Sequence, residues 1–558
     1  MAWASASQRP GRRPPHRTDK RKQPRIPFRK SIDPLLLLRS LRALRHGNIR
    51  EAGGILRREN RPWFQPGEKE SDDQGPDAGR ARAGGGRAAG GNRLRAAPRR
   101  RSAEIQAELG KLLGPGAARP ATAAYLTDAT EHRGIKGSPD AVALPATTAE
   151  VAGIVAWCYE HEVPIVPRGG GTGFAAGAVP LDGGVVLGLE RMTRVRDFEP
   201  LLWRICVEAG LSTAEVRRLA RENGLFFPPD PGAAEQSQIG GNIATNAGGP
   251  HAFKYGVTGA WVTGLEAVVP PGDIVAVGGP IRKDVAGYDL KSLLIGSEGT
   301  LGVITAAWLK LLPAPEATLP VVAFHAGAEA GCRAIEGVLG AGLTVAALEY
   351  LDGGALAAAG GSFPGGVPEG AGFMVIAEAD GAEAEAERVQ RQLVEAVSID
   401  ALAVRAPTRP REVEALWRWR DGVSIAIEAR RGGKVSEDIA VPLDRIQEAI
   451  KETVAIGERH RLEACSWGHA GDGNLHSTFL VAPDDDGELE RARSAAEELF
   501  ELAARLGGSI SGEHGIGWVK RGQLAGQWPS RALELHEAVK RVFDPKGLLN
   551  PGKKIAAL

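Results

Sequence analysis

The amino-acid sequence predicts an α+β protein with two folded parts behind a basic extension that builds no core. Three observations carry that expectation. Residues 1–103 hold 26 Lys/Arg against nine Asp/Glu in a Gly/Ala/Arg/Pro-rich stretch, although the full 558 residues have a net charge of only +1; a segment of that kind lacks the apolar content to fold and is expected to be disordered. From about residue 138 to 312, strand-like runs alternate with helical patterns and three glycine-rich turns. From about residue 321, apolar strands alternate with Ala-rich helices, the texture of a second α+β part.

Composition narrows the function. With 43% hydrophobic residues, 74 glycines and 37 prolines, the chain can bury at least two cores while staying rich in loops. Cys158, Cys206, Cys332 and Cys465 are far apart and form no CxxC, so no disulfide framework or iron–sulfur ligand run is written here. A reduced, cytoplasmic setting is expected. No apolar run reaches the roughly 18 residues of a membrane span, so attachment to a membrane would be peripheral. The Arg-rich residues 1–30 are compatible with organelle import, and residues 34–58 with a basic amphipathic helix. No recognition fold accompanies them, and no nucleic-acid partner is expected.

Taken in order, a helix is expected from about residue 102 to 113. A strand at 141–144, an N-cap at Thr147 or Thr148, an amphipathic helix to about His161 and a strand into the first glycine loop make a βαβ unit. Residues 185–189, 203–208, 265–269 and 302–312 read as strands, 213–223 as a helix and 228–232 as a rigid turn. Pro313 and Pro315 mark the boundary of the second part. There, strands are expected at 321–324 and 374–378, and helices at 383–396, 443–458, 488–506 and 531–543.

The first glycine loop, residues 164–177, reads Pro-Ile-Val-Pro-Arg-Gly-Gly-Gly-Thr-Gly-Phe-Ala-Ala-Gly. Glycine reaches φ > 0 and lets consecutive N–H groups converge on an anion, which suits a phosphate or pyrophosphate. The loop is not a Rossmann fingerprint, because Pro180 and another strand follow where that motif opens a helix. A second cluster, residues 238–249, reads Gln-Ile-Gly-Gly-Asn-Ile-Ala-Thr-Asn-Ala-Gly-Gly and sets amide and hydroxyl donors beside bare backbone. The third, residues 296–304, reads Gly-Ser-Glu-Gly-Thr-Leu-Gly-Val-Ile.

The second half carries different chemistry. Residues 467–476, Trp-Gly-His-Ala-Gly-Asp-Gly-Asn-Leu-His, contain an Asp-Gly pair that signals a tight hairpin. With Asp472 and Gly473 at its centre, His469 and His476 fall directly opposite each other, near enough to share one divalent ion. Two hydrogen-bonded histidines are the alternative unless a third ligand exists. Residues 511–517, Ser-Gly-Glu-His-Gly-Ile-Gly, offer one. In an extended segment neighbouring side chains point opposite ways, so Glu513 would face the metal and His514 the adjoining cavity. Two nitrogens and a carboxylate suit Zn²⁺ first, then Mn²⁺ or Fe²⁺. Residues 417–424, Trp-Arg-Trp-Arg-Asp-Gly-Val-Ser, and Lys434 supply cations; the Arg fork matches a planar carboxylate and Lys adds a point charge.

Together, Pro-Arg-Gly-Gly-Gly-Thr-Gly, Ile-Gly-Gly-Asn, Asn-Ala-Gly-Gly, Lys-Tyr-Gly, Gly-Ser-Glu-Gly-Thr-Leu-Gly, the His-Ala-Gly-Asp-Gly-Asn-Leu-His and Gly-Glu-His-Gly phrases and the ending Phe-Asp-Pro-Lys-Gly-Leu-Leu-Asn-Pro-Gly resemble the vanillyl-alcohol oxidase/p-cresol methylhydroxylase flavoproteins. Within that family they are most similar to the branch holding D-lactate dehydrogenase and the large flavin subunit of glycolate oxidase. The resemblance runs from about Asp140 to Lys554. It implies a two-subdomain FAD-binding domain of the p-cresol methylhydroxylase type at residues 102–315, an α+β substrate (cap) domain at 316–505 and a segment at 506–558 that completes the active site, all after the extension at 1–101.

The resemblance further implies non-covalent FAD, since residues 166–177 contain neither His nor Cys to anchor it. The implied FAD contacts are Pro167, Arg168, Gly169, Gly170, Gly171, Thr172, Gly173, Gly177, Gly240, Gly241, Asn242, Thr245, Asn246, Gly248, Gly249, Tyr255, Gly256, Glu298, Gly299, Gly302, Val303, Ile304 and Asn550. The implied metal ligands are His469, His476 and Glu513, with His514 as base and Arg420, Lys434 and Ser424 on the substrate carboxylate. The reaction implied is oxidation of a D-2-hydroxy acid, such as D-lactate, glycolate or D-2-hydroxyglutarate, to the 2-oxo acid. Electrons would leave to a quinone, an electron-transfer flavoprotein, a cytochrome or an iron–sulfur partner subunit. A homodimer and a peripheral place at the inner face of a membrane fit the same branch.

Two phrases depart from the family's pattern: Phe174-Ala175-Ala176-Gly177 stands for a more usual Leu-Ser-Gly-Gly, and Pro270-Pro271-Gly272-Asp273 for an Asp-Gly hairpin turn. Two other readings remain open at this point, an alkyl-dihydroxyacetone-phosphate synthase-like enzyme on the same scaffold and a non-catalytic flavin-binding subunit. The first expects a histidine cluster for a phosphate-bearing substrate, and the second would lack the His/Glu site. Deleting residues 1–100 should leave flavin content and turnover within about twofold, because that segment cannot join a core; a truncated protein that fails to fold would refute this.

Overall fold

The computed structural model describes residues 102–130 and 133–555. The basic extension and its expected amphipathic helix lie outside the described residues.

The first part holds two sheets. One has four strands in the spatial order Ala118–Arg119, Ala141–Ala143, Val185–Gly188, Ile165–Arg168. Its last three strands are mutually parallel, as a βαβ crossover through helix Thr148–Glu160 requires. That helix starts at Thr147, whose hydroxyl accepts the Glu150 N–H, while the Glu150 carboxylate accepts the Ala146 N–H at 2.7 Å. The other sheet is antiparallel, ordered Val195–Glu199, Arg204–Glu208, Val303–Lys310, Val262–Val269, Asp273–Gly278. The Pro-Pro-Gly turn therefore still closes a hairpin. Helix Thr148–Glu160 packs on Val262–Val269, and Ile154, Val155, Ile165, Leu187, Ile205 and Leu265 join one core.

The second part is one seven-stranded antiparallel sheet, ordered Ala401–Arg405, Ala317–His325, Phe373–Gly381, Ala347–Leu351, Glu463–His469, Asn474–Val481, Gly433–Ala440. Its central strands are apolar without alternation because both faces are covered. Helices Ala328–Gly340, Glu383–Val397, Ile446–Arg459 and Asp486–Arg505 bury one face around Leu348, Val375, Phe479 and Leu499. Gly353–Ala359, Pro410–Asp421 and Val423–Ala429 cover the other around Phe324, Met374, Trp419 and Trp467.

Charged contacts tie the two parts together. Arg133 Nη2 lies 2.7 Å from Glu437, His251 Nε2 lies 2.9 Å from Glu378, and Lys254 and Tyr255 both bond Asp380. The end of the chain returns to the first part. Asp544 accepts from the Tyr159 hydroxyl at 2.6 Å, and Asn550 donates to the carbonyls of Gly177 and Glu298. Phe479 is fully buried in the second core. Phe479→Ala should therefore lower stability by about 3–5 kcal/mol, read as an earlier urea transition in far-UV circular dichroism; an unchanged midpoint would contradict this packing.

Candidate functional site

A cavity of about 570 Å³ is lined on one side by the glycine segments and on the other by the seven-stranded sheet and its helices. Pro167 to Gly173 in sequence, Gly177, Gly240, Gly241, Asn242, Thr245, Gly248, Gly249, Glu298, Gly299, Gly302, Val303 and Ile304 line the first side. Arg420, Ser424, Lys434, His469, His476, Glu513 and His514 line the second. Two distant halves of the sequence thus meet in one chamber.

Four expected cofactor contacts are not in the lining. Asn246 caps helix Ile239–Thr245 in the left-handed conformation and accepts the Gly259 N–H at 2.8 Å. The Tyr255 hydroxyl is taken by Asp380, and Gly256, at φ +79°, only ends the short helix before it. Asn550 braces Gly177 and Glu298 from behind. Two lining residues are likewise engaged by the scaffold. Arg168 donates to the carbonyls of Thr127 and Ala124 at 2.7 Å each, and the Glu298 carboxylate accepts the N–H groups of Ile516 and Gly517.

The chamber fits a dinucleotide. A Cβ on Gly170 would lie 2.0 Å from the Gln236 carbonyl and one on Gly240 2.6 Å from Ala209, so only glycine lets these segments close up, whereas Gly173 faces open space. Gln238 Oε1 is buried in the lining and has no hydrogen-bond partner among the described residues, leaving an acceptor for a ligand hydroxyl or amine. All four cysteines are buried, and none lines the cavity.

The histidine hairpin differs from expectation. Asp472 and Gly473 are not its two-residue centre: residues 470–473 form the loop, a 3₁₀ turn ending at Gly473 with φ +68°, so His469 pairs with Asn474 and His476 with Trp467. The register shift is two residues, which preserves the face. His469 and His476 remain diagonal neighbours with ring centroids 5.2 Å apart. The alternation expected at Glu513 and His514 also fails. Both backbone N–H groups point at one carboxylate oxygen of Asp438, at 2.6 and 2.9 Å, and Gly515 follows at φ +82°, so the segment is bent and both side chains face the cluster. His514 stacks on His476 with ring centroids 5.3 Å apart and lies tilted against Phe174 at 4.6 Å.

Glu513 Oε1 lies 3.3 Å from His469 Nε2 and 3.5 Å from His476 Nε2, and donor atoms of the three residues lie within 4.8 Å of one another. This set fits a divalent ion of the Zn²⁺ class. The His469 Nδ1 is 2.6 Å from Glu349, the carboxylate–histidine arrangement that fixes which ring nitrogen is free to bind. The His476 Nδ1, also buried, has no partner among the described residues. Burial works against charge on His469, but Glu349 and Glu513 raise its pKa well above the usual value; burial and the neighbouring His469 push His476 down to about 3. Burial works against charge on both acids, but His469 and Arg420 hold the fully buried Glu349 carboxyl low, and His469 does the same for the partly buried Glu513.

Sequence reasoning missed Glu349, Asp438 and Lys520. Asp438 is fully buried, lies 3.5 Å from His514 Nδ1 and is held ionised against that burial by Lys520 and His514. Lys520 also donates to the Ile510 carbonyl at 2.9 Å. The available signal was the lone acid inside the apolar strand Ala347–Leu351 and the adjacent pair Glu437-Asp438 inside the strand Gly433–Ala440, since a buried carboxylate demands a partner. Arg420 is less free than expected: its Nε and Nη2 both donate to Glu349 Oε2. Lys434 donates to the carbonyl and hydroxyl of Ser424, so these two side chains act as a pair.

Residues 139–278 match the family described as FAD binding domain, and residues 314–554 match FAD linked oxidases, C-terminal domain. The glycolate oxidase subunit GlcD of Bacillus subtilis (strain 168) is 38% identical over 434 residues, 77% of this chain and 92% of that protein. The D-2-hydroxyglutarate dehydrogenase of Stutzerimonas stutzeri (strain A1501) is 33% identical over 445 residues, 78% of this chain and 94% of that protein. Among solved structures, p-cresol methylhydroxylase with substrate bound superposes with a TM-score of 0.65 over 81% of this chain and 97% of that chain, at 16% identity, a likeness of fold.

Proposed function

Since this chain belongs to the FAD-linked oxidases, we propose that it oxidises a D-2-hydroxy acid to the 2-oxo acid, with a divalent metal at His469, His476 and Glu513 and with His514 as base. One observation supports the reading above the others: the His/Glu cluster opens into the same chamber as the glycine segments, so a hydroxy acid at the cluster lies against the cofactor's place. When bound there, FAD supplies a two-electron acceptor and a divalent ion supplies Lewis-acid polarisation of the hydroxyl.

The chain's own groups do the rest. Glu349 fixes the ring of His469, leaving Nε2 for the metal. Asp438 faces His514 Nδ1, so His514 Nε2 is the atom that takes the hydroxyl proton, and the imidazolium formed is stabilised by a carboxylate 3.5 Å away. The C2 hydrogen leaves with its electron pair, and the carbinol carbon becomes the carbonyl carbon. Arg420 orients the substrate carboxylate with the donors that Glu349 does not occupy, and Lys434 and Ser424 bound the site beside it. Phe174, at 4.6 Å from the His514 ring, covers the base. Zn²⁺ is expected ahead of Mn²⁺ or Fe²⁺. The two electrons then pass to a quinone, an electron-transfer flavoprotein, a cytochrome or an iron–sulfur subunit.

Two substitutions separate the roles. Glu513→Gln should lower metal content, with activity partly restored by excess Zn²⁺ or Mn²⁺, because it removes a charged ligand. His514→Ala should keep FAD and metal while slowing anaerobic flavin reduction by roughly 10²–10⁴-fold, the range of a general base. Loss of metal from His514→Ala with retention in Glu513→Gln would reverse the assignment, and full turnover in both would refute it.

A further inference from the structure

Helix Pro410–Asp421, which sets Arg420 in the cavity wall, is held on the seven-stranded sheet by two acids. In the neighbouring strands Ala347–Leu351 and Phe373–Gly381, Ala347 pairs with Glu378 and Glu349 with Ile376. Glu349 and Glu378 therefore share one face, a diagonal step apart. Glu349 takes Arg420, and Glu378 Oε2 accepts the Trp417 Nε1–H at 2.5 Å, one helical turn earlier. The helix is pinned at two points, each a buried carboxylate.

A buried carboxylate needs positive charge, and an indole N–H brings none. Glu349 receives it from Arg420 and His469. Glu378 receives it from the first part of the chain: its Oε1 lies 2.9 Å from His251 Nε2, while His251 Nδ1 is bonded to Asp230. With a carboxylate at each ring nitrogen, only the imidazolium has a donor for both. Burial opposes that charge, but Asp230 and Glu378 raise the His251 pKa well above its usual value. Trp417 lies tilted against the same ring, with centroids 5.3 Å apart. Of the charged groups around this cluster, Lys254 is taken up by Asp380, and Asp421, whose carboxyl burial pushes up, has Arg420 and Arg217 near it. Asp230 belongs to the glycine side. A Cβ on Gly249 would lie 2.5 Å from its carbonyl oxygen, and Pro231 to Ala233 and Gly248 to Pro250 line the cavity.

We infer that His251 acts through Glu378 and Trp417 to hold Arg420 at the substrate carboxylate, as a charged latch between the glycine side of the cavity and the helix; the inference rests on the hydroxy-acid reading above. As an imidazolium the ring ties Asp230 to Glu378. Once it loses a proton, one of the two carboxylates faces a ring lone pair, Glu378 is left without its counter-charge, and the Trp417 anchor of the helix loosens. The contribution to binding is complete below the His251 pKa and is lost as the pH rises through it. Proton and hydride transfer are left to other groups, so the effect falls on affinity.

The test uses the flavin-containing protein as purified. Binding of pyruvate, glyoxylate and 2-oxoglutarate is read from the oxidised-flavin spectrum between about pH 6 and pH 10, across the range in which a raised His titrates. His251→Gln, which cannot carry the charge, should weaken the tightest of the three about tenfold at neutral pH and converge with the unsubstituted protein at alkaline pH. Its limiting rate of anaerobic flavin reduction should stay within about threefold, a change in affinity without a change in chemistry. His251→Arg, permanently charged with donors on both sides, should bind within about threefold of the unsubstituted protein at neutral pH and lack the alkaline loss. Trp417→Phe keeps the imidazolium but cuts its link to the helix, and should weaken binding and flatten the same loss. Should His251→Gln fail to fold, the curves of the unsubstituted protein and His251→Arg decide by themselves. An alkaline loss shared by His251→Arg, or a His251→Gln curve parallel to that of the unsubstituted protein, overturns the inference and leaves the hydroxy-acid reading standing. A flavin spectrum that none of the three acids perturbs overturns that reading and the inference with it.

Discussion

Two carboxylates without solvent, Glu349 and Asp438, are the constraint on which this site depends. An isolated carboxylate in such a place is prohibitively unstable, so each must be surrounded by positive charge and N–H donors. Glu349 gathers Arg420 and His469; Asp438 gathers Lys520, His514 and two backbone N–H groups. Meeting that demand fixes the positions of four side chains from three separate segments. His469 and His514, the metal ligand and the base of the proposed reaction, are thereby aimed into one chamber, each backed by a carboxylate against its Nδ1.

The same demand explains why the two parts of the chain meet where they do. Gly248 sits against Glu513, where a Cβ would lie 2.6 Å from the carboxylate oxygen, and Glu298 accepts N–H groups from Ile516 and Gly517. The glycine segments are therefore shaped by the C-terminal segment as well as by the space they enclose. Arg168 and Asn550, both residues of recognisable phrases, serve this joint by gripping backbone carbonyls. Their chemistry is that of a brace, Arg168 from within the cavity lining and Asn550 from behind it.

Much of the fold was legible in the sequence because it is written locally. The cap at Thr147, the breaks at Pro313 and Pro315 and the amphipathic periodicity of residues 383–396 and 443–458 are short-range signals, and each helix forms within a few residues of its expected place. The glycine loops were legible for the same reason, since only glycine tolerates their close approaches. What escaped depends on contacts between segments far apart. Glu349 and His469 are 120 residues apart, and Asp438 and Lys520 are 82 apart. The Asp-Gly pair pointed to the hairpin but not to a four-residue loop, because loop length is set by how residues 470–473 pack; Gly471 leaves room for Phe253 and Gly473 for the Val441 carbonyl. Tyr255 is next to a glycine in a recognisable phrase, yet its hydroxyl belongs to Asp380 across the joint between the two parts.

The account stands or falls on the cluster that these carboxylates position. Anomalous diffraction from crystals of the flavin-containing protein grown with Zn²⁺ and a 2-oxo acid tests it most directly. A single strong peak bonded to His469 Nε2, His476 Nε2 and Glu513, with the acid's carboxylate toward Arg420 and its 2-oxo oxygen within hydrogen-bond reach of His514, is the predicted result. Zinc bound elsewhere, with His469, His476 and Glu513 hydrogen-bonded only to one another and the acid outside this chamber, would contradict it.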